Sequence, residues 1–90
     1  MILNLTLKRE FFDQILIGEK TIEYREIKPF WARLEKKKYS LVKFRNGYNA
    51  NSPVLICECK GIRKKDMYEI YLGKIIKTEN LKYEQKKLLT

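Results

Sequence analysis

The chain has no histidine, and its only thiols are two cysteines. Without histidine, the commonest acid–base catalyst, any chemistry has to use lysine, carboxylate or hydroxyl side chains. Two thiols fall short of the four ligands of a structural zinc site, so we expect no metal and no cofactor. Cys57 and Cys59 lie two residues apart in an apolar stretch. That spacing suits a disulfide poorly and favours buried cysteines that act as small apolar residues.

Long apolar runs are also missing. No segment approaches the ~20 apolar residues of a membrane-spanning helix, and residues 1–4 lack the basic start and apolar centre of a signal peptide. An anionic membrane surface calls for a long basic amphipathic helix, which the sequence does not contain. We therefore expect a cytoplasmic protein with no membrane partner.

Acidic residues are few relative to basic ones. Eleven Asp and Glu stand against 20 Lys and Arg, which gives a formal net charge of +9. Such an excess on a small body creates a positive field over part of its surface, and nucleic acid is the leading polyanionic partner. RNA or a nucleotide is the expected ligand, although many small basic proteins bind nothing. Composition leaves the oligomeric state open.

Hydrophobic periodicity predicts one α+β domain that spans all 90 residues. Alternating or continuous apolar residues indicate about five strands, at residues 1–7, 20–27, 39–45, 54–62 and 68–77. A helical period indicates one short helix at residues 9–17, and Pro29 suits the start of a second short helical turn. Strands at this close spacing predict a small curved β-barrel. Residues 80–90 are expected to form a flexible basic tail or a weak helix.

Several single residues carry further structural expectations. Phe11 and Phe12 lie on the apolar face of the first helix and are expected in the core, and Gly18 suits its C-terminal end. Gly73 indicates a bulge or bend within the fifth strand. Trp31 is expected in the core, with stacking on a base as the alternative.

The sequence GEKTIEYR, which begins at Gly18, is the most informative motif. In a strand Thr21, Glu23 and Arg25 share one face beside Lys20. The lysine can neutralise a phosphate or act as a base or nucleophile, the glutamate can accept and return a proton, and the arginine suits a phosphate or a base edge. A solvated polar face or a surface salt-bridge ladder is the alternative.

A second candidate group follows the third strand. Arg45, Asn46 and Tyr48 combine a guanidinium, an amide and an aromatic ring around a flexible glycine, as in proteins that read single-stranded RNA. A hairpin turn with a packed tyrosine is the alternative. Lys8, at the first strand–helix junction, is expected near the second strand if the first two strands are close.

Two basic runs, residues 36–38 and 63–65, lie in predicted connections. The first belongs to a charged segment, residues 35–38, that we expect to be a loop. Solvated loops are the expected role of both runs. If nucleic acid binds, they would contact phosphates without sequence preference.

The strand, short helix and GEKTIEYR order resembles the signature of ASCH domains, which are relatives of the PUA-like RNA-binding barrels. The upstream pattern Leu-x-Leu-Lys-x-Glu-Phe-Phe-x-x-Ile and the later Phe-Arg-Asn-Gly-Tyr fit a compact bacterial or phage-type member. The resemblance covers roughly residues 3–78. It implies a curved, barrel-like sheet with helices at its openings and a cleft where the polar residues of the motif converge.

The resemblance also implies functions. ASCH domains are linked to RNA binding, and some small members are hydrolases that deacetylate N4-acetylcytidine or cleave RNA. The deacetylating kind uses a lysine, a threonine and a glutamate. Lys20 matches the lysine, Glu23 stands at the position of the threonine, and Glu58 and Glu69 are candidates for the glutamate by position alone.

Three functions follow from the sequence. The leading expectation is an RNA- or nucleotide-binding module that uses a basic polar cleft. The alternative is a small hydrolase acting on RNA or a modified nucleoside, with Lys20 and Glu23 as the catalytic groups and Tyr24 or Tyr48 as helpers. A protein-interaction module is the third, and it predicts an apolar patch in place of a polar cleft.

Overall fold

A computed structural model describes residues 1–90. The five predicted strands are confirmed: β1 is Ile2–Thr6, β2 Ile22–Arg25, β3 Leu41–Arg45, β4 Val54–Lys64 and β5 Tyr68–Glu79. Three short helices accompany them: α1 is Arg9–Leu16, α2 Arg33–Lys36 and α3 Tyr83–Leu88. The helical turn expected at Pro29 is a 3₁₀ helix, Pro29–Trp31, that leads into α2.

The strands form one mixed sheet in the order β1-β3-β4-β5-β2. β1 runs parallel to β3, and every other neighbouring pair is antiparallel. The sheet curls into a half-barrel, which confirms the α+β curved-barrel class. The first two strands of the chain therefore occupy the two opposite edges of the sheet, and whatever lies between them sits where the barrel would close.

The core fills the concave side of the sheet and is sealed by α1. Alternate residues of β1 and β3 point inward, and the inward face of α1 contributes Phe12, Ile15 and Leu16. The residues that share this core are Leu3, Leu5, Leu7, Phe12, Ile15, Leu16, Leu34, Val42, Phe44, Leu55, Cys57, Tyr68, Ile70 and Leu72. Burial of these apolar side chains is the main stabilising contribution.

The expectation for Phe11 is wrong, because its side chain is 38% exposed whereas that of Phe12 is fully buried. Consecutive side chains of a helix point about 100° apart. The face of α1 that packs on the protein core includes Phe12 and leaves Phe11 beside it. Phe11 is left at the edge of the sheet, where it lines a cavity.

Irregular pairing between β4 and β5 confirms the expected bulge near Gly73. The register shifts three times between Ile56 and Gly61. A Cβ at Gly73 would lie 2.8 Å from the Glu58 carboxylate, so only glycine fits there without movement. Bulges strengthen the local twist of a strand, and these shifts lie where the long β4–β5 pair curls.

The two basic runs expected to be loops are loops only in part, because Arg63 and Lys64 belong to β4. Glu35 and Lys36 belong to α2, so the charged segment at residues 35–38 is a loop only in its second half. The end of the chain forms α3, whose fully buried Gln85 donates a hydrogen bond of 2.8 Å to Asp13 of α1. No helix has the length and apolar character needed to cross a membrane.

Candidate functional site

In β2 the charged side chains point into the protein and the tyrosine points to solvent, which is the reverse of an ordinary edge strand. Glu23 pairs with Ile70 and Arg25 with Tyr68 across the sheet, and directly opposite residues point to the same face. Since both partners are buried, the two charged side chains point into the concave interior, and Glu23 is only 5% exposed. Tyr24 faces solvent instead. A solvated salt-bridge ladder would show the opposite arrangement.

Two cations hold the buried carboxylate. Arg25 contacts Glu23 Oε2 with Nη2 at 2.6 Å and with Nε at 2.9 Å. Lys20 Nζ lies 3.4 Å from Oε1 of the same group. Burial of an unpaired carboxylate is strongly unfavourable, so these contacts are what allow the charge of Glu23 to stay inside the protein.

Arg25 also joins the two edges of the sheet. Its Nη2 donates a hydrogen bond of 3.3 Å to the carbonyl of Thr6 at the end of β1, and its guanidinium lies 5.1 Å from the centre of the Trp31 ring. Lys20 is placed in a comparable way, with Nζ 5.7 Å from the Phe11 ring. Aromatic rings attract cations at such distances. Each of the two basic side chains is therefore held both by the Glu23 carboxylate and by an aromatic ring.

These groups open into a cavity of about 380 Å³ between β1 and β2, which we call the edge cavity. It is lined by Thr6, Leu7, Lys8, Phe11, Glu23, Tyr24, Arg25, Glu26, Lys28, Trp31 and Met67. Sites for small molecules usually measure about 300–1,000 Å³, so the cavity can hold a nucleoside-sized ligand. Its lining combines basic, acidic and aromatic side chains.

The structure brings four of the sequence candidates together. Lys8, Glu23 and Arg25 line the edge cavity, and Lys20 reaches Glu23 from beside it. Thr21 is exposed and lies in shallow neighbouring grooves that do not include Glu23. β2 begins only at Ile22, so the expected alternation does not extend back to Thr21.

The second candidate group lies apart from the edge cavity. Asn46 Nδ2 donates 3.1 Å to the carbonyl of Leu7, and Arg45 Nη2 donates 3.4 Å to the carbonyl of Asn49. Arg45 Nε is buried without a hydrogen-bond partner. Tyr48 is 92% exposed at the tip of the turn. Asn46 thus ties the turn to the end of β1, while Tyr48 packs against nothing.

The carboxylates considered as further catalytic groups do not join the site. Glu58 accepts a hydrogen bond of 2.9 Å from the backbone of Lys74, and Glu69 pairs with Lys65 at 3.6 Å. Neither lines the edge cavity. No three His, Cys, Asp or Glu side chains are grouped where they could hold a metal ion.

Sequence reasoning missed the contributions of Phe11 and Lys28 to the cavity, whereas it named Trp31 as a core residue with stacking on a base as the alternative. Trp31 packs against the core and also lines the edge cavity, so core and site are not exclusive for this ring. The available signal was Pro29, which starts a 3₁₀ helix after residues 26–28, and the Trp31 ring of that helix lies 5.1 Å from the Arg25 guanidinium of β2.

Cys57 is fully buried, as the sequence indicated. Burial, which is the main cause, raises the pKa of its thiol to about 12. A thiol of that kind carries almost no thiolate at neutral pH, and the thiolate is the reactive form. Cys59 is half-buried.

A further ionic cluster joins α2 to the β4–β5 hairpin. The Tyr68 hydroxyl donates a short hydrogen bond to Glu35, and Lys64 Nζ lies 3.4 Å from the same carboxylate oxygen. The hydrogen bond from Tyr68 lowers the pKa of Glu35 from its usual value near 4.5. The same bond raises the pKa of Tyr68 above its usual value near 10.

The Tyr68→Phe variant is expected to be less stable than the wild type, by an amount that depends on pH. A lowered carboxylate pKa contributes stability above 4.5 that is lost as pH falls through the folded-state pKa. A raised tyrosine pKa contributes stability below 10 that is lost as pH rises through the folded-state pKa. Urea unfolding across pH should therefore show the largest difference at neutral pH. An equal difference at every pH would contradict the role of this contact.

Comparison of the chain with models of known protein families, with curated proteins and with solved structures gave no match.

Proposed function

We propose that this protein binds RNA or a nucleotide in the edge cavity. The observation that carries the proposal is the buried Glu23, held by Arg25 and Lys20 on a face of β2 that would otherwise be core. Apolar side chains of similar size would stabilise such a position at least as well. A charged cluster that has no advantage in stability over apolar side chains, yet opens into a cavity, is best explained by a ligand.

Charge favours an anionic ligand. Lys8, Arg25 and Lys28 line the cavity and Lys20 adjoins it, against Glu23 and Glu26. The exposed Lys28 is paired only with Glu26, at 3.1 Å, so its ammonium remains available to a phosphate. The net charge of +9 adds a long-range attraction for a polyanion.

Aromatic rings supply the second part of the recognition. Phe11, Tyr24 and Trp31 all line the cavity. Bases of single-stranded RNA stack on such rings, at about 1–3 kcal/mol per base. The Lys20 ammonium lies 5.7 Å from the ring centre of the half-exposed Phe11 and 5.3 Å from that of Tyr24. A base and its phosphate would therefore meet a ring and a cation in the same place.

Glu23 supplies the polar contact to a base. An ionised carboxylate has about four acceptor positions, and Arg25 and Lys20 make three contacts with it. The remaining capacity suits an N–H donor on the edge of a base, such as an amino group. The resemblance to ASCH domains supports the same class of ligand.

The sole tryptophan provides the test. Because Trp31 lines the cavity and no other tryptophan is present, quenching of its fluorescence reports ligand at this site alone. We expect quenching by a single-stranded pentanucleotide RNA at low salt, with affinity that falls as salt rises. Unchanged fluorescence at low salt, with no binding by calorimetry, would overturn the proposal.

Lys28→Ala is expected to make the salt dependence of RNA binding shallower by about 0.7 in the log–log slope, the value for one phosphate contact on a single strand. Lys77→Ala is the matched control. Its side chain is 61% exposed against 62% for Lys28, and it too pairs with a glutamate two residues away. Lys77 does not line the cavity, so its loss should change neither slope nor quenching. Equal effects of the two variants would point to diffuse charge attraction.

Hydrolysis of RNA or of a modified nucleoside is the second candidate function. The observation that favours it is the Lys20–Glu23 pair, an amine and a carboxylate 3.4 Å apart with side chains largely shielded from water. Lys20 would act as base or nucleophile, and Glu23 would accept a proton and return it during the reaction. RNA and N4-acetylcytidine should then be consumed by the wild type and left intact by Lys20→Ala. Turnover that survives in this variant would exclude the mechanism.

A further inference from the structure

A second cavity, of about 530 Å³, lies between α2 and the β4–β5 hairpin. Four lysines surround it, namely Lys37, Lys38, Lys60 and Lys64. Lys37 and Lys38 follow the end of α2, while Lys60 and Lys64 belong to β4. We call this space the lysine cavity. It shares no lining residue with the edge cavity.

The positive charge of the lysine cavity is largely uncompensated. Lys64 pairs with Glu35 at 3.4 Å. Lys37, Lys38 and Lys60 have no carboxylate within ion-pair distance, since all seven ion pairs involve other residues. Like charges that converge on one concave surface repel each other and focus the field there. An anion in the cavity would remove that repulsion.

Apolar side chains line part of the cavity, beside the Glu35 carboxylate that accepts the hydrogen bond of Tyr68. Leu34 and Tyr68 are buried at its base, and the half-buried Tyr39 and Ile62 complete it. The four lysines lie around these side chains. Here they border a surface that favours a ring or a chain, so the arrangement suits a ligand with an apolar body and an anionic head.

A β-bulge shapes the wall of this cavity. The register between β4 and β5 shifts between Cys59 and Gly61, so that Lys60 is an extra residue on β4. Cys59, Lys60 and Gly61 all line the cavity, while the stem of Lys60 passes Gly73 of β5, where a Cβ would lie 3.1 Å from Lys60 Cγ. Gly61 has a φ of +149°, which favours glycine. Bulges commonly re-aim a side chain next to a functional site.

From these observations we propose that the lysine cavity is a second ligand site, which takes a small phosphate ester with an aromatic or other apolar body. Lysine ammonium groups bind phosphate as point charges without demanding one geometry. The apolar side chains would hold the body of the ligand, and the lysines would hold its phosphate. The proposal does not depend on the function of the edge cavity.

Glycine-selective ¹⁵N labelling gives a direct test, because the chain has only four glycines. Gly61 is part of the wall of the lysine cavity, whereas Gly18 and Gly47 are not. Phenyl phosphate is the probe, and inorganic phosphate is the control for charge without a body. We expect phenyl phosphate to shift the Gly61 signal and leave Gly18 and Gly47 in place. Inorganic phosphate should bind roughly tenfold more weakly, because it buries no ring.

The Lys38→Ala/Lys60→Ala variant should weaken phenyl phosphate binding by roughly tenfold or more, since two charged contacts are lost. The matched control is Lys74→Ala/Lys77→Ala, which removes the same charge from exposed positions outside both cavities and should bind normally. The four glycine signals also report whether each variant is folded.

Three outcomes would overturn the proposal. The Gly61 signal could stay in place at millimolar phenyl phosphate, or the two double variants could lose phenyl phosphate affinity equally. The third is a Gly61 signal that RNA shifts and phenyl phosphate does not. The Arg25→Ala variant distinguishes binding at the edge cavity from binding at the lysine cavity. It should lose RNA binding at the edge cavity and keep the Gly61 response to phenyl phosphate.

Discussion

Replacement of Arg25 by alanine is expected to lower the free energy of unfolding by about 3 kcal/mol, the usual result when one partner of a buried ion pair is removed. Arg25 makes both short contacts to Glu23, and Lys20 at 3.4 Å would be the only cation left. The bond that joins Arg25 to Thr6 across the sheet edges would be lost as well. Urea unfolding followed by circular dichroism measures the change.

The matched variant replaces both partners, as Glu23→Met/Arg25→Met. Two apolar side chains of similar length remove the buried carboxylate together with its arginine, so that only the Lys20 ammonium loses a partner, and such replacements are often neutral or stabilising. We expect this variant to unfold within about 1 kcal/mol of the wild type. It should nevertheless fail to bind RNA by Trp31 fluorescence. A variant that is both stable and inactive would mean that the pair serves the ligand. If the double variant is as unstable as Arg25→Ala, the pair is needed for the fold.

Phe12→Ala is expected to cost about 4 kcal/mol of the free energy of unfolding, as for other fully buried phenylalanines. Phe12 is the largest side chain through which α1 reaches the core. A domain of this size has only about 5–13 kcal/mol in total, so the variant should be close to unfolding at physiological temperature.

Phe11→Ala is the internal control, because it makes the same chemical change one residue earlier. Its ring is partly exposed and lines the edge cavity, so the cost in stability should stay within about 0.5–1 kcal/mol. RNA affinity should fall, since the ring beside Lys20 is lost. Thermal unfolding and Trp31 quenching measure the two effects. Similar losses of stability for both variants would contradict the placement of Phe11 outside the core.

The sequence allowed the strands to be predicted because alternation and turn residues are local signals. Leu3, Leu5 and Val42 follow that rule and are buried. The same rule grouped Glu23 with Arg25, but it could not indicate which face of β2 turns inward. That depends on pairing with Ile70 and Tyr68, far along the chain. The polarity of Glu23 and Arg25 suggested a solvent-exposed face as one alternative, whereas strand pairing turns both side chains inward.

The lysine cavity shows a second limit of local reasoning. Two basic runs that looked like independent loops contribute Lys38 and Lys64 to one cavity, together with Lys60, and both Lys60 and Lys64 belong to β4. Lys60 is the extra residue of a bulge that follows from the pairing of β4 with β5. No pattern within either run carries that information. Likewise, nothing in the sequence indicated that the amide of Asn46 donates a hydrogen bond to the carbonyl of Leu7.

The strand order also bears on how the protein folds and opens. β3, β4 and β5 are consecutive in the chain and pair through short connections. β1 pairs only with β3, and β2 pairs only with β5, so each of these two pairs closes a longer loop. Closing the longer loops costs more chain entropy, so the central meander is expected to form first and the two edge strands to dock last. The edge cavity is built from those late strands. Its amides should therefore exchange hydrogen through local opening before the meander unfolds. A ligand bound in the edge cavity would hold the two edge strands together and slow that exchange.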